Sequence, residues 1–253
     1  MGAALDVEWC KLRRSRVIAV ITVVVLLAPP ALAAAFAWAA GEPGADPLTL
    51  KARALLPGPG WEGFVSALGQ VFATGGLLGL GVGVAWCFGR EYADRTIVSL
   101  YASATPRAAM ATAKFVVLTA WSLSVAAAVG PVAFVVALLA GLGPPDTAAL
   151  VGLGRVMALA ALTGVLALLV ALFATVGKGY LMAFGGLIAL ITSAQVAVIV
   201  GVGPWFPLSS PALWAVHDPA VATVSPGQLA IVPSVAVIVV VATVARWQRA
   251  TVS

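Results

Sequence analysis

Long apolar runs separated by short polar gaps dominate the chain from residue 17 to residue 245. A helix that crosses a bilayer core, which is about 30 Å thick, needs about 20 apolar residues. Runs of this length predict six spans, at about 17–40, 62–88, 115–142, 151–176, 180–202 and 229–245. Gaps such as GEPGADP and GLGPPD are rich in turn residues and belong at the membrane surface. The pattern predicts an all-α integral membrane protein, with one transmembrane domain over residues 1–253.

A charged segment, ALDVEWCKLRRSR, precedes the first apolar run. Its apolar residues Leu5, Trp9 and Leu12 recur at helical spacing. The charged residues Asp6, Glu8, Lys11, Arg13 and Arg14 are assigned to the other faces. This pattern favours an interfacial helix at about 3–15, lying in the plane of the membrane surface. The alternative is a disordered basic anchor.

The first apolar run can also be interpreted as a secretory signal, because Ala31-Leu32-Ala33 resembles a cleavage site. The preceding helical segment and a run of roughly 24 residues favour a membrane span instead.

Composition supports a lipid environment, since 62% of the residues are hydrophobic and only 9% are charged. Soluble domains carry roughly 25% charged residues. The net charge of +5 does not indicate nucleic acid, because the basic residues cluster at the ends of the apolar runs. With the N-terminus inside, the cytoplasmic side holds Lys11, Arg13, Arg14, Arg16, Arg90, Arg95, Arg107, Lys114, Lys178, Arg246 and Arg249, against Lys51, Arg53 and Arg155 outside. The positive-inside rule then predicts that both termini are cytoplasmic.

The sequence offers little catalytic or ion-coupling chemistry. No ionisable residue stands in the middle of a predicted span, which disfavours an ion-coupled transporter. The segment around Lys178 lacks the glycine that a phosphate-binding loop needs, so any ATP would be bound by another chain. Cys10 and Cys87 lie far apart and predict neither a disulfide nor a metal site. His217 beside Asp218 leaves open an alternative function, a membrane enzyme or assembly factor with a site in the outer loop.

Small and polar residues within the spans predict helix contacts. Gly75, Gly79 and Gly83 are four residues apart on one face of the second span, a spacing that lets helix backbones approach closely. Gln195 is the clearest polar residue in the middle of a span. It is interpreted as an interhelical hydrogen-bonding residue, with a place on the substrate path as the alternative.

The stretch Gly89–Phe115 is a polar interruption between the second and third spans. Glu91 and Arg95 are four residues apart, which suits an ion pair on a helix. Ile97, Leu100 and Tyr101 would form an apolar edge beside this pair, and Thr105-Pro106 predicts a break before the third span. We therefore expect a short surface helix, a turn and the start of the next span.

The order of residues in this stretch resembles that of ABC-2-type permeases, the membrane subunits of ATP-driven exporters. The matching positions are Glu91-Tyr92, Arg95-Thr96, Ser99-Leu100, Thr105-Pro106-Arg107 and Lys114. The aromatic and proline-rich loop Pro204–Ala215 is similar to the segment before the last span of that family.

The resemblance implies a cytoplasmic coupling helix that docks on a nucleotide-binding ATPase subunit. It would involve Glu91, Tyr92, Asp94, Arg95, Thr96, Leu100 and Tyr101, with Lys178 as a smaller contact. ATP and Mg would then belong to the partner, and this chain would bind no cofactor or metal and be no enzyme itself. A second permease copy or a paralogue would complete the transporter in a bacterial plasma membrane. Gln195, Trp205 and Phe206 become candidates for the path of a hydrophobic or amphipathic substrate, such as a drug, antibiotic, lipid or peptide.

Overall fold

The computed structural model describes residues 2–42, 47–56, 58–94, 105–216 and 223–249. Every regular element in these ranges is helical. The α-helices are α1 (Gly2–Arg14), α2 (Arg16–Gly41), α3 (Pro47–Leu55), α4 (Gly60–Ala93), α5 (Arg107–Leu139), α6 (Thr147–Ala167), α7 (Val170–Val176), α8 (Tyr180–Ile199), α9 (Ser210–Val216), α10 (Pro226–Leu229) and α11 (Ile231–Arg249). A 3-10 helix, Gly203–Trp205, precedes α9.

Six helical stretches of the described chain are long and apolar enough to cross a membrane. They are α2, α4, α5, α6 with α7, α8, and α10 with α11, and each overlaps one run of the sequence analysis. The predicted all-α membrane fold is therefore confirmed. The short helices α3 and α9 on the connections are not predicted by hydropathy, because neither has the length of a span.

The second and third spans are longer than their apolar runs. Helix α4 continues to Ala93, and α5 begins at Arg107, directly after Pro106. Proline fixes the backbone just before the first helical turn, and the small residues that follow allow the helix to form at once. Lys114 thus lies two turns inside α5, in the helix that the break at Thr105-Pro106 predicts.

The fourth span is interrupted, whereas its sequence predicts one continuous helix. Helix α6 ends at Ala167 and α7 begins at Val170, with Leu168 and Leu169 buried between them. The amide of Leu169 donates to the carbonyl of Leu166 at 3.0 Å, a bond that spans three residues instead of four. A tighter 3-10 turn therefore separates α7 from the rest of the span.

Helix α4 lies at the centre of the bundle, in contact with α2, α6, α7 and α8. Phe64, Leu68, Phe72, Leu80 and Phe88 of this helix are fully buried. Helix α5 packs against α1, α2, α6 and α11, so α4 and α5 together contact most of the other helices.

The bundle has two ends, named here after the short helix at each. The α1 end contains α1, the end of α4, the start of α5 and the turn between α7 and α8. The α3 end contains α3, the start of α4 and α9. At the α3 end, the indole Nε1 of Trp61 donates to the carbonyl of Gly143 at 3.1 Å, which joins α4 to the α5–α6 connection.

Candidate functional site

Helix α1 packs on the bundle through a face that includes a carboxylate. The chain turns at Ser15, whose Oγ accepts a hydrogen bond of 3.3 Å from the amide of Ile18 and caps α2. Ala4 and Glu8 of α1 are buried against the bundle, whereas Trp9 is 45% exposed. The sequence analysis placed Glu8 on a different face from Trp9, as the structure does, but it did not predict that the face with Glu8 packs on the bundle. Helical spacing shows which residues share a face, but it does not show which face meets the protein.

Four charged side chains form a closed ring at the α1 end, called the charge ring below. Lys11 Nζ lies 3.0 Å from Glu8 Oε1 and 3.0 Å from Glu91 Oε1. Lys114 Nζ lies 2.6 Å from Glu8 Oε2 and 3.1 Å from Glu91 Oε1. Positive and negative groups alternate around the ring, so every contact between neighbours is attractive. The ring joins α1, α4 and α5, and its two ammonium groups balance its two carboxylates.

Burial makes the members of the charge ring depend on one another. The side chains of Lys114 and Glu91 are only 4% and 6% exposed, while that of Lys11 is 31% exposed. A buried charge is strongly unfavourable unless it is paired and hydrogen-bonded. Lys114 Nζ also lies 5.8 Å from the centre of the Phe88 ring, within the range of a cation–π contact. The arrangement tolerates four charges at this depth because none of them lacks an opposite partner.

Aromatic side chains extend this connection to the fourth and last spans. The Phe88 ring lies 5.0 Å from that of Phe115 and 5.9 Å from that of Trp247, measured between ring centres. The buried indole Nε1 of Trp247 donates to Thr175 Oγ1 at 3.2 Å. A continuous set of contacts therefore runs from α1 through α4 and α11 to α7.

The predicted coupling residues fall into two groups in the structure. The sequence analysis placed Glu91 on a short surface helix. In the structure Glu91 belongs to α4, which continues past it and carries its side chain into the charge ring. Tyr92 is half-buried, and Asp94 is exposed, with Oδ2 3.5 Å from Arg90 Nε. Lys178 is exposed in the turn between α7 and α8. Arg95, Thr96, Leu100 and Tyr101 lie outside the described residues, and so does the predicted Glu91–Arg95 pair.

The three glycines of the second span have different surroundings. A Cβ at Gly79 would overlap the side chain of Val25 on α2, and one at Gly83 would lie 2.5 Å from the ring of Trp121 on α5. The Trp121 indole in turn donates to Thr22 Oγ1 at 2.9 Å, which joins α5 to α2. At Gly75, no described atom lies within 4 Å of the Cβ position. Close packing therefore uses Gly79 and Gly83 within this chain, and Gly75 has room for a side chain.

The candidate path residues lie in two places. Gln195 Nε2 donates to Thr74 Oγ1 at 3.3 Å, which connects α8 to α4 on an exposed face of the bundle. Trp205, which is 70% exposed, ends the 3-10 helix at the α3 end, and Phe206 follows it. The structure does not bring these two aromatic residues together with Gln195 through any contact that it describes.

The described residues contain no group of three metal-ligating side chains. Cys10 and Cys87 are both free, Cys10 exposed and Cys87 half-buried. The candidate enzyme site of the alternative function cannot be placed, because His217 and Asp218 lie outside the described residues.

The helices and the distribution of charge define a multi-pass membrane protein. A family model described as ABC-2 family transporter protein matches residues 4–196, which include the charge ring, the first four spans and most of the fifth. The match covers more than half of the chain, so the chain belongs to the ABC-2 transporter family. It is a permease, a membrane component of an ABC transporter, and the family implies association with an ATPase subunit. No curated protein and no solved structure matches the chain significantly.

Sequence analysis missed the charge ring. Glu8 and Lys11 were assigned to the charged faces of an interfacial helix, and Lys114 was used only as a cytoplasmic charge and as a position of the family resemblance. One signal was present: Lys114 stands among small and apolar residues in AAMATAKFVV, where a lysine needs a counter-ion once the segment is helical. The sequence does not show which carboxylate supplies it.

Proposed function

We propose that the chain is the permease subunit of an ABC exporter that moves a hydrophobic or amphipathic substrate. ATP and Mg²⁺ would bind to a separate ATPase subunit at the α1 end, which is then the cytoplasmic end. Two permease subunits, identical or paralogous, would form the path between them in a bacterial plasma membrane.

The length of α4 is the observation that best supports coupling at the α1 end. Its 34 residues make a helix of about 50 Å, whereas the bilayer core is about 30 Å thick. Trp61, near the start of α4, is a residue type that favours the membrane interface. If Trp61 marks one interface, most of the excess length extends beyond the other, at the α1 end. A continuous helix can transmit a displacement from a docked ATPase to the centre of the bundle, because α4 contacts most of the other spans.

Polar residues on the exposed face of α4 support a second permease subunit. Gln70 and Thr74 are exposed, Gln70 Nε2 donates to Ser66 Oγ at 3.3 Å, and Gln195 of α8 joins the same surface through Thr74. Lipid tails offer such groups no hydrogen bonds, whereas a facing subunit or a polar part of a substrate does. Exposed apolar residues such as Ile188 on α8 make this surface amphipathic, which suits an amphipathic substrate.

Co-purification with the ATPase subunit tests the coupling. We expect Arg95→Ala with Leu100→Ala to abolish co-purification or the ATP hydrolysis of the complex, while insertion of the permease is retained. The matched control is Lys51→Ala, which removes a positive charge from the exposed surface of α3 at the other end. We call the stretch that contains Arg95, Thr96, Leu100 and Tyr101 the coupling segment, and wild-type binding and hydrolysis in the double variant would refute its role in docking.

Cross-linking tests the arrangement of the two subunits. In a chain without Cys10 and Cys87, we expect Gln195→Cys to form a cross-linked dimer with a short bismaleimide in membranes. The control is Val237→Cys on α11, which is 61% exposed and should remain monomeric. Equal cross-linking at both positions, or none at position 195, would contradict a subunit interface on α4 and α8.

A further inference from the structure

A narrow cleft beneath α1 is closed on one side by the charge ring. Besides the four charged residues, Leu12, Ser15, Ile18, Trp86 and Cys87 line it. Helix α1 contributes one wall and α4 contributes another, so separation of α1 from α4 and α5 would open the cleft. The contacts that resist this separation are those of Glu8 and Lys11 with Lys114 and Glu91.

We propose that the charge ring is a latch that holds α1 to the ends of α4 and α5, so that these three elements move as one body. The proposal rests on the proposed function in one respect: the body would be displaced when the coupling segment after Asp94 moves on its ATPase. Glu8 and Lys114 are then positioning residues. They contact neither the substrate nor the nucleotide, but they make α1 follow the second and third spans.

The geometry favours a latch over a binding site for an ion or a lipid headgroup. The two lysines of the ring each contact both carboxylates, so the neutral ring offers no net positive charge to an anion and no net negative charge to a cation. Arg90, the next cation in the cleft, is 3.5 Å from Asp94. The described groups therefore satisfy one another's charge.

A closed ring also explains why two residues so distant in sequence are both charged and both buried. The Lys114–Glu8 contact, at 2.6 Å, is the shortest of the four and joins residues 106 positions apart. Hydrogen bonds between ionised groups are among the strongest in proteins. Loss of one should therefore change the ratio of open to closed forms by about tenfold or more.

The two natural cysteines supply the readout for the test. Cys87 lies in the cleft, whereas Cys10 is exposed on α1. The rate at which a thiol reagent modifies Cys87 therefore measures opening of the cleft, and its rate at Cys10 is a control for access of the reagent to the protein. The full-length chain is treated with N-ethylmaleimide in membranes, and modification of each cysteine is followed by mass spectrometry. We expect Glu8→Gln to raise the modification rate of Cys87 by about tenfold or more, with Cys10 unchanged. The matched control is Asp6→Asn, which makes the same chemical change on the exposed side of α1 and should not raise the modification rate of Cys87.

Complete charge inversion separates a latch from a role of one particular charge. The variant Glu8→Lys, Lys11→Glu, Glu91→Lys and Lys114→Glu keeps the alternation of signs, and we expect it to restore slow modification of Cys87. Lys11→Gln, at the most exposed member of the ring, is a milder second variant if Glu8→Gln does not insert. The latch is refuted if Cys87 is still modified slowly in Glu8→Gln, or in Lys11→Gln where only that variant inserts. It is also refuted if Cys87 is modified rapidly in the charge-inverted variant.

The complex with the ATPase subunit tests the coupled movement separately. We expect Glu8→Gln to lower ATP hydrolysis by the complex at saturating ATP, with an unchanged KM for ATP, and the inverted ring to recover it. If Glu8→Gln opens the cleft but the complex hydrolyses ATP at the wild-type rate, the coupled movement is refuted while the latch itself is supported. Failure of the wild-type chain to bind any ATPase subunit would refute the proposed function, while the cysteine result would still decide the latch.

Discussion

The two ends of the bundle are held together by different kinds of interaction. At the α1 end, three buried charges and the partly exposed Lys11 depend on one another in a ring. At the α3 end, Trp61 donates one hydrogen bond to a carbonyl, and the exposed guanidinium of Arg53 donates through Nε to the carbonyl of Ala40 at 3.0 Å. Arg53 also donates to the carbonyl of Glu42, so it caps the end of α2.

The difference concerns what remains after one partner is lost. A carbonyl at the α3 end that loses its donor is close to water and can be hydrated. A carboxylate in the charge ring that loses its lysine stays buried with an unbalanced charge, which is far less favourable. Loss of one contact at the α1 end should therefore destabilise the whole ring, whereas loss of one contact at the α3 end should have a small and independent effect.

The largest effect is expected from removing the most buried lysine. Lys114→Met should lower the free energy of unfolding in mixed micelles by about 3–5 kcal/mol, because Glu8 and Glu91 would keep only Lys11. Lys51→Met removes an exposed lysine at the α3 end and should change it by less than about 0.5 kcal/mol. Equal effects of the two substitutions would contradict the contrast between the ends.

Glycine substitutions within α4 should give the next largest effect. Gly83→Leu places a side chain against the Trp121 ring and should cost about 1–3 kcal/mol of unfolding free energy, measured in the same way. Gly75→Leu is the matched control on the same face of the same helix, and we expect little change in the isolated subunit. A large decrease in the unfolding free energy of the isolated subunit on Gly75→Leu would contradict the open space beside Gly75.

Two tryptophans allow a direct comparison of hydrogen bonds at the two ends. Trp247→Phe removes a donor from the buried Thr175 hydroxyl, and Trp61→Phe removes one from the Gly143 carbonyl. Each should cost about 0.5–1.5 kcal/mol, and the substitution of Trp247 more, since its partner is farther from water. The double variant should show the sum, because the sites lie at opposite ends. Marked non-additivity in unfolding experiments would mean that the ends are coupled.

The smallest effect is expected at the exposed cap of α2. Arg53→Gln should cost about 0.3–1 kcal/mol, since the positive charge at the helix C-terminus is lost, and added salt should reduce the difference. The measurement is the unfolding free energy at low and high salt. A loss as large as that of Lys114→Met would contradict the independence of the contacts at the α3 end.

The spans could be predicted from sequence because the bilayer fixes the length of an apolar helix. The continuation of α4 to Ala93 could not be predicted from hydropathy, whereas the break at Thr105-Pro106 did predict the helix that leads into the third span. The interruption at Leu168 was equally hidden, because neither glycine nor proline occupies it. The role of the coupling segment after Asp94 stays a prediction.

The contacts of the charge ring could not be predicted from sequence, although one of its residues was singled out. The polar stretch after the second span was recognised as unusual, and Glu91 within it was singled out. A pair with Arg95, which lies outside the described residues, was predicted from local spacing, whereas the contacts with Lys11 and Lys114 follow only from the way that α1 and α5 pack. The burial of Glu8 against the bundle was not predicted for the same reason.

The sequence by itself determined the membrane class, the number of apolar helices and the position of the polar segment between the second and third spans. Each of these is a property of consecutive residues, so composition and periodicity are enough. Only the tertiary structure decided that Glu8 meets Lys114, that Gly83 rather than Gly75 receives a neighbour, and that α1 packs on the bundle. These contacts depend on which helices are neighbours and how each is rotated. Burial then requires every charge brought inside to find a partner of opposite sign.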